Sequence, residues 1–482
     1  MMRRQVISLL SRQVVTMALG NAAIRLLMGL IATLLVYAAT SGVYTYRHQT
    51  ESRLRYQKEV RERWEAMPDK HPHRMAHYGY IVFREIHPLS IFDFGTESYT
   101  GNVVFLEAHR QNSVNFSEAG FSTGLLRFGE LSMAVVLQFL LPLVLFFIGF
   151  STIATDRENG TLKLLFSQGV SPRELIAGKT FGLLSVALCL LLPAFLILLL
   201  GLTFCGSGQI ADNSLRLAIL FAAYVLYAAI LSTIAVLLSA FASKAKVALT
   251  GLIGTWLLFA ILLPRSTQAL GTGLYPSPSR IEFETAVELD ILKQGDSHDP
   301  NDPHYKAMKD SVLRANNADS IQQLSFNYSG FQMREGERLS AEAYNRHAAN
   351  LLTIYQRQNS VSRLAAFVNP FAAIRNLSMA LSGTDFKTYV SFQQQAEAYR
   401  YKLAQHMNEL QMRHISNQKP GPNDNPHIIS STYWKSFPDF SYKRPSTAAA
   451  IRGEALSLAA MFFWTALLLF LIAFLSKKLK PV

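Results

Sequence analysis

Six long apolar runs constrain this 482-residue chain more than any other feature of its sequence. A helix needs roughly 20 apolar residues to cross a bilayer core about 30 Å thick. The runs are Ala22–Tyr46, Leu131–Ile153, Phe181–Phe204, Leu217–Phe241, Val247–Leu263 and Ala455–Leu475. The sequence therefore predicts an all-α polytopic membrane protein with six transmembrane helices, of which the fifth is the shortest and should end at Pro264.

Two long polar stretches interrupt the runs and are too long to be turns, so they should be folded, mainly helical extracytoplasmic insertions. The first span should continue into a charged helix from Arg47 to Met67. Further helices are predicted at Ile281–Gln294, Tyr305–Asn316, Leu339–Val368 and Phe386–Ile415. The predicted domains are 1–21 (amphipathic helix), 22–46 (first span), 47–130 (first insertion), 131–264 (spans two to five, with a cytoplasmic segment at 155–179), 265–453 (second insertion), 454–476 (sixth span) and 477–482 (tail).

The positions of Lys and Arg predict the orientation of the spans. Short loops that are rich in these residues stay on the cytoplasmic side. The N-terminal segment, the second-to-third and fourth-to-fifth connections and the tail hold most of the net charge of +13. Both termini should therefore be cytoplasmic, in a bacterial inner membrane. The basic charge is then a topology signal, and no nucleic-acid partner is predicted.

The N-terminal 21 residues are amphipathic. Ile7, Leu10 and Val14 recur at helical spacing on one face, while Arg4 and Arg12 lie on the other. This pattern predicts a helix lying on the inner leaflet of the membrane. The alternative is a cleaved signal peptide, but the apolar run that follows is too long and no small-residue cleavage pattern comes after it.

The span interiors carry no Asp, Glu, Lys, Arg or His, and Gln138 is their main polar residue. Carriers driven by an ion gradient keep ionisable groups in the membrane, because the coupling ion binds there. Gly178-Lys179-Thr180 also lacks the glycine that a phosphate loop needs five residues earlier, where Arg173 stands. The sequence therefore predicts a chain that is not an enzyme, binds no cofactor and depends on a separate ATPase that binds ATP and Mg.

Two smaller patterns allow alternative interpretations. A stripe of small residues on the fourth span suits close helix packing, either within the chain or at a dimer seam; it comprises Ala228, Ser232, Ala235 and Ser239. In the first insertion, alternate residues of an extended segment could present ligands to a copper ion. These residues are His71, His73, Met75 and His77. The alternative is an exposed loop that is rich in histidine and binds no metal.

Residues Thr155 to Lys179 read Asp-Arg-Glu-x-Gly-Thr-Leu, then Leu-Leu, then Ser-Pro-Arg-x-Leu-Ile-x-Gly-Lys. This stretch resembles the coupling-helix region of ATP-binding-cassette (ABC) type-2 permeases, and the amphipathic N-terminus is similar to that family's elbow helix. Further motifs resemble the subgroup with two large extracytoplasmic insertions, whose added domain has no known function. They lie at 76–79, 106–112, 127–131, 376–385 and 433–438.

The resemblance implies a permease that couples to a cytoplasmic ABC ATPase dimer and pairs with a second permease chain, the same or a paralogue, in the bilayer. Residues 155–179, here named the coupling segment, would contact the ATPase; the candidate residues are Asp156, Arg157, Glu158, Gly160, Thr161, Leu162, Leu165, Pro172 and Arg173. Without the resemblance, this stretch could equally be a basic loop. The substrate stays open, and three activities are compatible: export, mechanical action on an extracytoplasmic envelope protein, and a passive scaffold.

Overall fold

The computed structural model of the protein describes residues 3–112, 130–204, 210–296, 299, 301–421 and 427–479. Over these residues the chain is mainly helical, with one short antiparallel hairpin. Six of the helices are long and apolar enough to cross a membrane. The prediction of an all-α polytopic membrane protein with six spans is therefore confirmed. Parts of the predicted first insertion and of the tail, including the 127–131 motif up to residue 129, lie outside the described residues.

The elements follow one another along the chain in a simple order. They are α1 (Arg4–Gly20), α2 (Ala22–Glu65), α3 (Pro72–Ala76), β1 (Tyr80–Phe83), α4 (Glu97–Thr100), β2 (Val103–Leu106), α5 (Met133–Gly149), α6 (Ala154–Glu158), α7 (Thr161–Ser167), α8 (Pro172–Phe204), α9 (Ile210–Phe241), α10 (Ala245–Leu257), α11 (Leu263–Leu274), α12 (Arg280–Leu292), α13 (Pro303–Ala315), α14 (Tyr328–Ala365), α15 (Pro370–Ser382), α16 (Phe386–His414), α17 (Thr432–Lys435), α18 (Thr447–Gly453) and α19 (Ala455–Leu475).

The first and fifth spans are both longer than their apolar runs. As predicted, α2 continues beyond the membrane as a charged helix, and pairs such as Glu59–Arg63 lie on its surface. The fifth span does not end at Pro264, because a π turn at Leu258–Leu262 joins α10 to α11. Pro264 lies in the first turn of α11, where its missing N–H is tolerated, so the helix continues to Leu274.

The predicted helices of the second insertion are present, but other elements of the two insertions were not predicted. Helix α14 starts at Tyr328 and not at Leu339, because the Asn327 side chain caps it by accepting a hydrogen bond from the Gly330 N–H at 2.8 Å. Helix α15 and the β1–β2 hairpin were not predicted. The hairpin pairs Tyr80 with Leu106 at one end and packs in an outer core with α16.

Helix α15 belongs to the second insertion in sequence but packs in the same apolar core as the spans. A chain of hydrogen bonds joins it to them: Gln138 Nε2 donates to Tyr224 Oη at 2.8 Å, and that hydroxyl donates to Ser378 Oγ at 3.2 Å. Ser378 Oγ in turn donates to the buried carboxylate of Asp93 at 2.5 Å. Burial raises the pKa of Asp93. Part of each insertion thus packs in the same core as the membrane bundle, while the hairpin and α16 form a separate core.

Candidate functional site

The coupling segment contains two short helices, α6 and α7, followed by the start of α8. Gly160 separates the short helices and has a φ of +75°, a left-handed conformation that favours glycine. A Cβ at Gly160 would meet no atom of the chain within 4 Å. Among the described residues, then, backbone conformation accounts for the glycine.

Helix α6 is fixed to the connection between the fourth and fifth spans. The Arg157 guanidinium donates to the Ala242 carbonyl at 2.6 Å and also to the Ala240 carbonyl. The Glu158 carboxylate accepts from the Ala245 N–H at 3.1 Å, at the first residue of α10. Both side chains therefore hold α6 against the ends of α9 and α10.

Ser239 provides a second attachment for α6. Its hydroxyl accepts hydrogen bonds from the N–H groups of Ile153 and Ala154, each at 3.0 Å, and donates to the Phe150 carbonyl at 2.8 Å. Ser239 and the other three members of the small-residue stripe are fully buried within the chain. The stripe therefore serves packing inside the chain, the first of the two alternatives.

Lys179 joins three parts of the structure although it is almost completely buried. Its ammonium group lies 3.1 Å from the Asp156 carboxylate of α6. It also donates to Gln13 Oε1 of α1 at 3.2 Å. The Gly178-Lys179-Thr180 sequence lies within helix α8.

Helix α1 lies against the start of α8. The Arg3 guanidinium and backbone N–H bind the Glu174 carboxylate, the latter at 2.7 Å. Further along, Gly178 and Gly182 allow close contact: a Cβ at either position would lie 2.6 Å from the Cβ of Leu10 or of Val14, respectively. Four-residue spacing of glycines permits this approach between helices.

Helix α7 has an inner and an outer face. Leu162 is buried in the bundle core, and Leu165 packs partly against that core. Leu164 points away from it with 62% of its surface exposed, next to the exposed Lys163. The inner face therefore anchors α7, and the outer face is available to a partner.

The remaining predicted residues lie at the start of α7 and of α8. Thr161 opens α7 and is half-buried. Pro172 is the first residue of α8, where a missing N–H is tolerated. The exposed Arg173 donates to Ser476 Oγ at 3.4 Å, just beyond α19. A groove of about 690 Å³, lined in part by Arg157, Lys244 and Lys478, opens beside the segment.

Four contributors to this site were not predicted from the sequence. They are Lys179, Glu174, Leu164 and Ser239, of which Ser239 was identified only as a small residue. Helical spacing could have predicted that Leu164 is exposed. The buried Leu162 and the half-buried Leu165 are three residues apart and share one face of the helix, whereas Leu164 lies on another face. The pairings made by Lys179, Glu174 and Ser239 join distant segments and had no local signal.

The histidine-rich segment of the first insertion differs from the expected extended run. Pro72 opens the short helix α3, and His71 caps it by accepting a hydrogen bond from the His73 N–H at 3.2 Å. Met75 is fully buried in the outer core. The proposed ligand set therefore does not share one face, because a helix separates residues that a strand would align. Only His73 and His77 of the four lie side by side, with their Nε2 atoms 3.3 Å apart.

The fold and the coupling segment first define a class: a multi-pass helical membrane protein with short helices fixed between the ends of its spans. Comparison with known families is more specific. Residues 104–272 match the family described as ABC-2 family transporter protein, and residues 280–443 match a Domain of unknown function (DUF3526). The resemblance seen in the sequence is confirmed: the chain contains a domain of the ABC-2 family of transporter permeases, followed by a domain of unknown function. No curated protein matches it.

Proposed function

We propose that this permease receives a separate ABC ATPase dimer on the coupling segment and uses ATP hydrolysis to export a substrate. The observation that carries this proposal is the two-faced geometry of α6 and α7. Their inner side is fixed to α8, α9 and α10 by Lys179, Arg157 and Glu158. Their outer side exposes Lys163 and Leu164.

Such an arrangement suits the transmission of force. An ATPase outside the membrane does work on the spans only through a contact that moves as one body with them. A loop attached only at its two ends would absorb the movement. Here hydrogen bonds and an ion pair join the segment to three spans and to the elbow helix α1, so a push on α7 would reach all of them.

The proposed assembly contains two permease chains and two ATPase subunits in a bacterial inner membrane, with both termini of the permease in the cytoplasm. ATP and Mg would bind to the ATPase, and this chain would hold no cofactor. Helices α10 and α19 expose apolar side chains such as Leu257 and Phe470. These surfaces suit lipid or the second permease chain.

A second candidate function is mechanical action on an extracytoplasmic envelope protein without substrate crossing the membrane. The tight connection between α9 and the outer insertions favours it. Arg216 is buried in α9 and donates to the carbonyls of Leu381 at 3.2 Å and Pro445 at 2.6 Å. A movement of α9 would therefore pass directly to two parts of the second insertion, the end of α15 and the segment before α18.

Site-specific photocrosslinking tests the proposed ATPase contact. A benzoyl-phenylalanine at position 164 in the full chain should cross-link in cells to a protein with ABC ATPase motifs, identified by mass spectrometry. The same probe at Leu364, an exposed leucine of α14, is the matched control and should give no such product. Absence of an ABC ATPase from the products at position 164 would contradict the proposal.

The two candidate functions differ in what stimulates the ATPase. The purified complex in nanodiscs should respond to a transported lipid or solute if it exports, and proteoliposomes should then accumulate that compound. Stimulation by an envelope protein, with no compound moved, would favour mechanical action. Either result keeps the ATPase contact, which the cross-link tests separately.

A further inference from the structure

Three histidines from two separate segments meet on the outer part of the protein. His73 lies in the short helix α3, His77 directly follows that helix four residues later, and His109 follows strand β2. The ring centroid of His109 lies 5.5 Å from that of His73 and 5.2 Å from that of His77. One ring nitrogen from each of the three lies within 4.8 Å of the others. From this geometry we infer a binding site for a divalent transition-metal ion of the zinc and copper class.

The distances suit such an ion. A tetrahedral site with metal–nitrogen bonds of about 2.0–2.1 Å places its ligand nitrogens about 3.3 Å apart. The Nε2 atoms of His73 and His77 are 3.3 Å apart. Small rotations of the rings would bring the His109 nitrogen to the same spacing. Two histidines four residues apart on a helix are a familiar way of chelating such a metal.

A buried carboxylate orients the third ligand. The Oε2 atom of Glu337 lies 3.2 Å from His109 Nδ1 and accepts from the His109 backbone N–H at 3.0 Å. Histidine ligands in metal sites commonly donate their second ring N–H to a carboxylate in this way, which leaves Nε2 for the metal. Glu337 itself is fully buried and paired with Arg400 at 2.7 Å, so its position is fixed.

The backbone of His109 is left-handed, with a φ of +62°, a conformation in which histidine is enriched among residues other than glycine. That turn directs His109 back towards α3.

The chemistry of the three side chains selects the ion. Imidazole nitrogen suits zinc, copper and nickel, whereas magnesium and calcium prefer oxygen ligands. His77 is exposed and the other two histidines are half-buried, so a fourth coordination position would face solvent. The bound ion would therefore be accessible to an exogenous ligand and would connect α3, β2 and, through Glu337, α14.

The proposal is tested on the full chain purified in detergent with an affinity tag that contains no histidine. Zn²⁺ or Cu²⁺ alone should bind in titrations at one equivalent and raise the melting temperature, whereas Mg²⁺ should do neither. Bound Cu²⁺ should show nitrogen hyperfine structure in its electron paramagnetic resonance spectrum. A wild-type chain that binds neither Zn²⁺ nor Cu²⁺ would overturn the proposal.

Variants distinguish this site from any other histidine cluster. His77→Ala changes an exposed residue and should weaken Zn²⁺ binding at least 100-fold, as should His109→Ala. His71→Ala and Met75→Leu should keep binding, as should His304→Ala at an exposed position elsewhere.

Glu337→Gln, at a positioning residue, should weaken binding by about 10–100-fold while copper keeps its nitrogen ligands. Unchanged affinity in His77→Ala, or loss of binding in His304→Ala, would assign the metal elsewhere and overturn the site.

Discussion

At the scale of single residues, the coupling segment depends on groups whose roles differ from those suggested by their position in the sequence. By its place in the sequence, Glu158 could be a negative charge that stabilises the start of a helix. In the structure it accepts a hydrogen bond from the first residue of α10. Gly160 could, as a glycine, allow close contact with another segment. In the structure it adopts a left-handed backbone conformation, and a Cβ there would meet no described atom within 4 Å. In both cases the interacting partner is distant in sequence or is the backbone itself.

Substitutions at Gly160 distinguish backbone conformation from contact with a partner. Gly160→Ala should destabilise the segment by about 1–2 kcal/mol, because residues other than glycine are strained in the left-handed region. Gly160→Asn should cost less, since asparagine tolerates that conformation. Thermal unfolding and the yield of the position-164 cross-link measure both effects. If Ala and Asn abolished the cross-link equally without changing the melting temperature, a close contact with the ATPase would be the correct explanation.

The ion pair between Asp156 and Lys179 should be worth more than a surface pair. Asp156→Asn or Lys179→Met alone leaves a largely buried partner without its counter-charge, and each should cost about 1–3 kcal/mol. The double variant should cost less than the sum of the two. The exposed pair Arg280–Glu284 is the control, and its coupling should be weaker, because solvent screens the charges of an exposed pair. If the losses of stability in the two single variants simply add in the double variant, the ion pair does not stabilise the contact between α6 and α8.

At the scale of elements, helices with a strong local pattern were predictable, and elements defined by tertiary contacts were not. The six spans, α1 and the charged extension of α2 follow from apolar runs and helical periodicity. Helix α15 was not predicted, although Asn369, Pro370 and Gly383 mark its two ends, and its burial among the spans depends on residues far away in sequence. The histidine trio is similar, since His109 reaches α3 only through the fold of the hairpin.

The packing of the elbow helix on α8 gives a prediction at this scale. Gly182→Ala would place a Cβ 2.6 Å from the Val14 Cβ and should destabilise the protein by about 1–3 kcal/mol through overpacking. Gly254→Ala in α10 meets no atom within 4 Å and should stabilise the protein by about 0.5–1 kcal/mol, because alanine favours the helix. Thermal unfolding in detergent measures both. If Gly182→Ala and Gly254→Ala changed the melting temperature equally, α1 would not pack closely on α8.

At the scale of the whole molecule, one apolar core joins the proposed membrane bundle to parts of both insertions, and a second, separate core lies within the insertions. The coupling segment packs on the first core through Leu162, and the histidine trio adjoins the second through Met75 and Ala108. We propose that ATP-driven movement enters at α7 and leaves through α15 and Arg216.

Cysteine labelling in intact cells tests the orientation. A thiol reagent that does not cross the membrane should label a cysteine at Lys309, exposed on α13, and should not label one at Gln168, exposed after α7. Ser297, Asn423 and Lys480 are further positions suggested by the sequence, but they lie outside the described residues. Labelling of position 168 from outside would invert the topology and place the coupling segment away from any cytoplasmic ATPase.

Binding of the ABC ATPase to the permease tests the central claim most directly. With the ATPase identified by cross-linking, its affinity for the detergent-purified permease is compared between Leu164→Glu and the matched change Leu364→Glu. Leu164→Glu should keep the melting temperature but weaken ATPase binding at least about 10-fold, the cost of losing an interface hot spot. Leu364→Glu should bind like the wild type. Full ATPase binding and activity with Leu164→Glu would contradict the claim that α7 receives the ATPase.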